Sequence, residues 1–348
     1  MESLTKNHQT RQIIDALTAR AYGQEQVSGA PAAVRELGFG WFNAVYRVTL
    51  ADGSKKVLKI APAPEVPVLS HERGAIFTER LAIELIRDHT EVPAVPIEFF
   101  DASLELCNAP YFFMPFIPAD DPGELGDRAT PDEKVVFQEQ VGVLNRQLNE
   151  IIGPGFGPLR DPRFPTWGQA FAAMFNNTLA DGRARNVELG WEYAEFERIL
   201  ARYLPYLDEV TVPRFVELDM WTKAVLFRDG KPVAHIDHER AIYGDPIMEA
   251  GFTGLHFPGF SDASAFMRGY GIAGLTVAQG KRRLLYTLHL ALIMAIEATY
   301  RGFDDPEHQA MVHANLRRAM ELIANQNALV SESTEGAPNN ENVESTVG

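Results

Sequence analysis

Four charged side chains in a fixed chain order could serve one kind of chemistry: Lys59, Glu79, Asp219 and Asp237. Lys59 lies in the alternating segment VLKI, so its ammonium projects from one face of a strand while Leu58 and Ile60 pack on the other. An ammonium on such a face can meet a polyphosphate, although a half-exposed strand lysine has the same pattern. Glu79, in FTERLAIEL, lies about a turn before the most apolar part of a helical segment, where its carboxylate can cross to Lys59 and fix it. Glu72 competes for that place, and spacing does not choose between them. Asp219 and Asp237 bracket a hairpin pattern that would bring both carboxylates to one mouth of a cleft. One can orient a hydroxyl and the other can hold magnesium, the division of labour that phosphoryl transfer requires. Singly, each is more commonly explained as a turn or cap residue.

Two further groups invite a chemical reading. Gly38 and Gly40, in LGFGWFNAVY, sit where backbone amides could approach phosphates, and turn glycines explain them equally well. His235 and His238 flank Asp237 and could form a zinc site. Strand alternation puts His235 and Asp237 on one face and His238 elsewhere, so a shared metal would need a bend after the strand.

These residues need a scaffold that joins distant segments. An amphipathic helix near residues 8–22 precedes AVRELGFG and NAVYRVTLADGSKKVLKIAP, whose alternation, β-branching and ADGS turn predict a hairpin in a small antiparallel sheet. LSHERGAIFTERLAIELIRDHT then predicts one long helix, ending before Pro93 and Pro96. PIEFFDAS and PYFFMPFIP supply two more strands, and the acidic, proline- and glycine-bearing loop ADDPGELGDRATPDE marks a junction. Beyond it the pattern is helical, except for two short strands around the turn RDGK between Asp219 and Asp237. The expected organisation is an α+β chain: a helix and lead-in over 1–29, a sheet-bearing lobe over 30–118, a mainly helical lobe over 119–330 and a disordered tail over 331–348.

Composition narrows the partners. The 348 residues, 46% hydrophobic, suffice for one large core or two smaller ones. A formal net charge of -15 argues against general attraction to nucleic acid or an anionic membrane and leaves small molecules as the expected partners. The single cysteine, Cys107, excludes an intrachain disulfide and suits a reducing compartment. With no apolar run long enough to span a bilayer, a cytoplasmic location is expected.

The blocks VLKI, TERLAIELIRDHTEVPAVP, PYFFMPF, FVELDMWTKAVLF and IDHERAIYGDPIMEA, in this order over roughly residues 30–300, resemble the aminoglycoside phosphotransferase family of small-molecule kinases. That resemblance implies a two-lobed protein-kinase-like fold and an ATP- and Mg2+-dependent transfer to a small metabolite or antibiotic. It gives Lys59 to the nucleotide phosphates, Glu79 to positioning Lys59, Asp219 to catalysis and Asp237 to magnesium, with Asp245 mainly structural. The catalytic loop departs from the family's His-X-Asp followed by four residues and an asparagine: Glu217 stands for the histidine, Leu218 precedes the aspartate, and Ala224 replaces the asparagine that adds a metal contact. Alanine has no side-chain oxygen, so binding of one magnesium ion is expected to weaken unless water, Glu239 or a rearranged loop substitutes. Lys223 beside it reads as an exposed loop lysine. Two other functions follow: a pseudokinase that binds without transferring, and a different enzyme reusing the cleft. Acceptor contacts are expected from WGQAFAAMFNN and around Phe257 and Phe260, and Glu192 or Glu195 could attract a cationic acceptor.

Overall fold

A computed structural model describes residues 3–38, 40–120, 128–220, 224–253 and 263–335, with side chains as far as residue 325. The N-terminal helix α1 (Arg11–Tyr22) starts at Thr10, whose hydroxyl accepts from the Ile13 amide, and buries Ile14 and Leu17 against the first sheet. That sheet is antiparallel with order β1-β2-β3-β5-β4, from β1 (Val34–Glu36), β2 (Ala44–Thr49), β3 (Lys55–Ile60), β4 (Phe99–Asp101) and β5 (Tyr111–Pro115). The ADGS turn closes the β2–β3 hairpin, Gly53 taking the positive φ of 85° that a residue with a Cβ would resist.

The helix expected after the hairpin divides in two. A 3-10 turn at Ser70–Glu72 comes first, and Gly74, in the left-handed region, reorients the chain into α2 (Ala75–His89). This break separates Glu72 from Glu79 in direction as well as position.

The remainder packs around α3 (Pro131–Leu148), α4 (Trp167–Ala184), α5 (Tyr193–Leu207), α6 (Ala250–Thr253), α7 (Ser264–Tyr270), α8 (Val277–Arg301) and α9 (Pro306–Glu335). Thr130 and Glu133 form a capping box at the start of α3, and Thr276 and Gln279 form another at α8. Helices α3 and α7 meet through glycine: a Cβ at Gly142 would strike the Phe266 carbonyl, and one at Gly269 the Glu139 carbonyl. Two buried clusters result, one around the first sheet with Leu58, Ile60 and Phe112, the other around α4 and α8 with Trp167, Phe171 and Leu288. Helix α9 continues past residue 331, and residues 336–348, the rest of the expected tail, lie outside those described.

The segment holding the two aspartates has more strands than its pattern suggested. Hairpin β8 (Val225–Arg228) and β9 (Lys231–His235) turns at Asp229-Gly230, both with positive φ. Flanking it, β7 (Arg214–Val216) and β10 (Ile242–Gly244) pair with each other, and β10 also pairs with β6 (Gly157–Pro158). Three-residue strands carry too little alternation to be recognised, because their register is set by distant partners.

Candidate active site

Strand β3 pairs on both sides, Lys59 opposite Val45 on β2 and Phe112 on β5, so its side chain leaves a fixed backbone. The ammonium is nearly buried, with side-chain exposure of 5%, and lies 2.7 Å from Glu79 Oε2, 2.9 Å from Asp237 Oδ1 and 3.3 Å from Glu239 Oε2. Burial alone would drive the proton off, but Asp237, Glu239 and Glu79 outweigh it and hold the Lys59 pKa well above its ordinary value. The three carboxylates outnumber the single cation. Accordingly Glu79, 1% exposed, is pushed by burial up to about 7 despite the pull of Lys59. Asp237, 57% exposed, is held below the usual carboxylate range chiefly by Lys59. Glu239 also accepts from Asn43 at the start of the first hairpin.

The hairpin explains how Asp237 reaches this point. The Ile236 amide donates to the Ala224 carbonyl at 2.9 Å, extending the β8–β9 pairing by one residue, and Asp237 then takes a left-handed φ of 66°. That turn aims its carboxylate outward and sends His238 inward. Strand alternation therefore misplaces these residues: His235 and His238 meet in the interior with ring centroids 4.3 Å apart, away from Asp237. His238 Nδ1 lies 3.2 Å from Glu217 Oε1, and its Nε2 lies 3.1 Å from the His235 carbonyl. Both partners accept, so both ring nitrogens must donate. This favours the imidazolium, and Glu217 raises the His238 pKa against the opposing effect of burial. Glu217, His235 and His238 place potential ligand atoms within 4.8 Å of one another, but both His238 nitrogens are already engaged in this clamp.

The loop carrying Asp219 is held by its backbone. The amides of Glu217 and Leu218 donate to Glu249 at 2.9 and 3.1 Å, and Asn149 Nδ2 reaches the same carboxylate at 3.0 Å. Burial pushes Glu249 up to about 7, against those donors. Leu218 has a positive φ of 67°, a costly conformation for a residue with a Cβ, and this anchoring holds it there. Asp219 follows, 39% exposed, with Arg240 Nη1 3.6 Å from its carboxylate. Asp245 is buried and accepts from Arg282 Nε at 2.7 Å and Tyr286 Oη at 2.8 Å.

Of the residues expected from sequence, Lys59, Glu79 and Asp237 share one point, and Asp219 lies on the neighbouring loop tied to Arg240. The competition between glutamates is resolved, since Glu72 pairs with Arg301 on α8 instead of Lys59. Gly38 and Gly40 lie in the β1–β2 connection; Gly40 has a φ of 88°, and neither has an atom within 4 Å of its Cβ position. Lys223, Phe257 and Phe260 lie outside the described residues. Sequence reading gave Glu239 only a conditional part and passed over Arg240 and Glu249. The run DHER signals the first two by adjacency to Asp237, whereas Glu249 carries no local signal at all.

A five-stranded antiparallel sheet ahead of a helical body, with a strand lysine paired to a helix glutamate, is the architecture of a kinase-like phosphotransferase. The chain belongs to the APH phosphotransferase enzyme family, whose model matches residues 33–285. Among solved structures it is similar to a candidate fructosamine-3-kinase from Thermobifida fusca, at 20% identity and TM-score 0.61, covering 88% of this chain and 98% of that one. It is similar to aminoglycoside phosphotransferase APH(4)-Ia at 16% identity and TM-score 0.63, covering 89% and 99%. It is also similar to APH(2")-IIa, solved as a ternary complex with streptomycin and ATP, at 12% identity and TM-score 0.59, covering 89% and 97%. No curated protein sequence matches it. Among the described residues, no helix is long and apolar enough to cross a membrane.

Proposed function

We propose that the protein transfers the γ-phosphoryl group of ATP to a hydroxyl of a small-molecule acceptor. The observation that carries this reading is the meeting of Lys59, Glu79 and Asp237 at one point, from a strand, a helix and a loop distant in sequence. In the reaction Asp219 orients the acceptor hydroxyl and receives its proton, the acceptor oxygen bonds to the γ-phosphorus, and the bond to the β-phosphate oxygen breaks to leave ADP. Lys59 remains charged throughout and neutralises phosphate oxygens, held in place by Glu79. The APH(2")-IIa complex with ATP supports this nucleotide as the donor.

A magnesium ion fits the donor set, because Asp237 and Glu239 offer hard oxygen ligands and the carboxylates around Lys59 exceed its charge. These two side chains would hold the ion, which when bound supplies charge neutralisation at the transferring phosphate. Glu239 then stands in for the oxygen absent at Ala224.

Ala224 supports a second reading, a protein that binds nucleotide without transferring it. Thermal stabilisation by ATP with and without magnesium, followed by ADP release against an acceptor panel, tests both. Stabilisation with turnover that Asp219→Asn removes is the expected result. Stabilisation without turnover would favour the binding protein, and its absence at saturating ATP would remove both readings.

A further inference from the structure

Next to the loop of Asp219 lies a partly open cavity of about 270 Å³. Leu218, Glu239 and Arg240 line it, and Arg240 reaches the Asp219 carboxylate. Arg73 and Arg160, both with exposed side chains, line the same cavity. Met174 and Asn177 of α4 and Ile293 of α8 also line it. Two residues of the WGQAFAAMFNN segment therefore face this space, whereas Glu192 and Glu195 do not line it.

The charges along this cavity are unequally spent. Each acidic residue lining it already has partners: Asp181 accepts from the Ser70 amide and hydroxyl, both at 2.7 Å; Glu239 is held by Lys59 and Asn43; Asp161 pairs with Arg163 at 3.1 Å. Arg73 and Arg160 are different. Arg160 donates only to neutral oxygens, Thr78 Oγ1 at 3.1 Å and the Arg73 carbonyl at 2.8 Å, and its guanidinium lies over Gly74. Among the described residues no carboxylate lies within the 4.0 Å of an ion pair from either Arg73 or Arg160. Two guanidiniums without a carboxylate partner on one cavity, that of Arg160 also lying over the Phe77 ring, disfavour a polycation in a chain of net charge -15 and suit an anion, to which each can present a planar fork of donors.

We infer that the acceptor is a small hydroxylated anion, its hydroxyl at Asp219 and its carboxylate or phosphate at Arg73 and Arg160. This inference rests on the phosphotransferase reading and deepens it by naming the acceptor class. Polycationic acceptors such as streptomycin are disfavoured on this account.

The test titrates the full chain, saturated with magnesium and ADP, with glycerate as a carboxylate probe, glucose 6-phosphate as a phosphate probe, glucose as a neutral control and streptomycin as a polycation. Melting temperature is read for wild type, Arg73→Gln and Arg160→Gln. An anionic probe is expected to raise the melting temperature, glucose and streptomycin to do less, and either substitution to weaken the anion about tenfold or more. Whichever of glycerate and glucose 6-phosphate binds identifies the anionic group. Arg160 also bridges to the 3-10 turn and α2, so Arg73→Gln, at an exposed side chain, keeps the test informative if Arg160→Gln fails to fold. The inference is overturned if neither anion stabilises the protein, if glucose or streptomycin binds better, or if Arg73→Gln leaves the anion's affinity unchanged. A parallel titration with magnesium and ATP separates the two readings: nucleotide stabilisation without an anion effect removes the acceptor class alone, and its absence removes the phosphotransferase reading itself.

Discussion

The ammonium of Lys59 stands 2.9 Å from the carboxylate of Asp237, joining β3 to the loop after β9 across 178 positions of sequence. Glu79 lies on the other side of the same ammonium, so a strand, a helix and a loop are held by one buried charge. The predictions begin there.

Lys59→Ala leaves Glu79, Asp237 and Glu239 around an empty centre. Removing one partner from a buried ion cluster typically costs about 3–5 kcal/mol, so denaturant unfolding is expected to show a loss of that order. Magnesium-ATP should no longer raise the melting temperature. Undiminished stabilisation by the nucleotide would show that Lys59 has no part in binding it.

The two aspartates are expected to fail differently. Asp219→Asn should preserve magnesium-dependent stabilisation by ATP while lowering turnover by about 10²–10⁴-fold, the usual contribution of a positioned base. Asp237→Asn should remove the magnesium dependence of ATP binding. Parallel titrations with and without the metal distinguish them, and identical behaviour of the two variants would contradict the proposed division of roles.

Ala224→Asn restores a side-chain oxygen beside the turn into Asp237, since the Ala224 carbonyl already accepts from the Ile236 amide. Tighter magnesium-nucleotide binding is expected, read from the metal dependence of the melting temperature. Unchanged affinity in a folded variant would show that this position does not face the metal.

Glu249→Gln reads out a buried carboxyl whose folded pKa is about 7 against an unfolded value of 4.5. Between these values the folded state keeps a proton that the unfolded chain releases, so the Glu249 contribution to stability falls as pH rises through that window. The wild-type advantage over the variant should shrink by on the order of 3 kcal/mol from its low-pH to its high-pH side. Unfolding free energies of both proteins across the window measure it, and a constant difference would count against the shift.

Gly269→Ala inserts a methyl group against the Glu139 carbonyl where α7 crosses α3. A loss of about 1–3 kcal/mol is expected from forced separation of the helices. Gly274→Ala is the control, because no atom lies within 4 Å of its Cβ position. Equal unfolding midpoints for the two variants would contradict the close crossing.

Local pattern made much of this legible in the sequence. The β2–β3 hairpin followed from alternation and the Asp52-Gly53 turn, and the β8–β9 hairpin from Asp229-Gly230, because both periodicity and turn chemistry are short-range. Lys59 could be singled out for the same reason, being set in a strand that names its own faces. The pairing of β7 with β10 could not be read, since each is three residues long and gains its register from the other.

What only the tertiary structure decided is which charges meet. Glu72 and Glu79 are equivalent by spacing, yet the left-handed turn at Gly74 sends one to Arg301 and the other to Lys59. Asp237 and His238 are consecutive, yet one positive φ turns the first outward to Lys59 and the second inward to Glu217. A sequence fixes residue types and local periods. The partner of a buried charge depends on how separate elements pack, and that is a property of the whole fold.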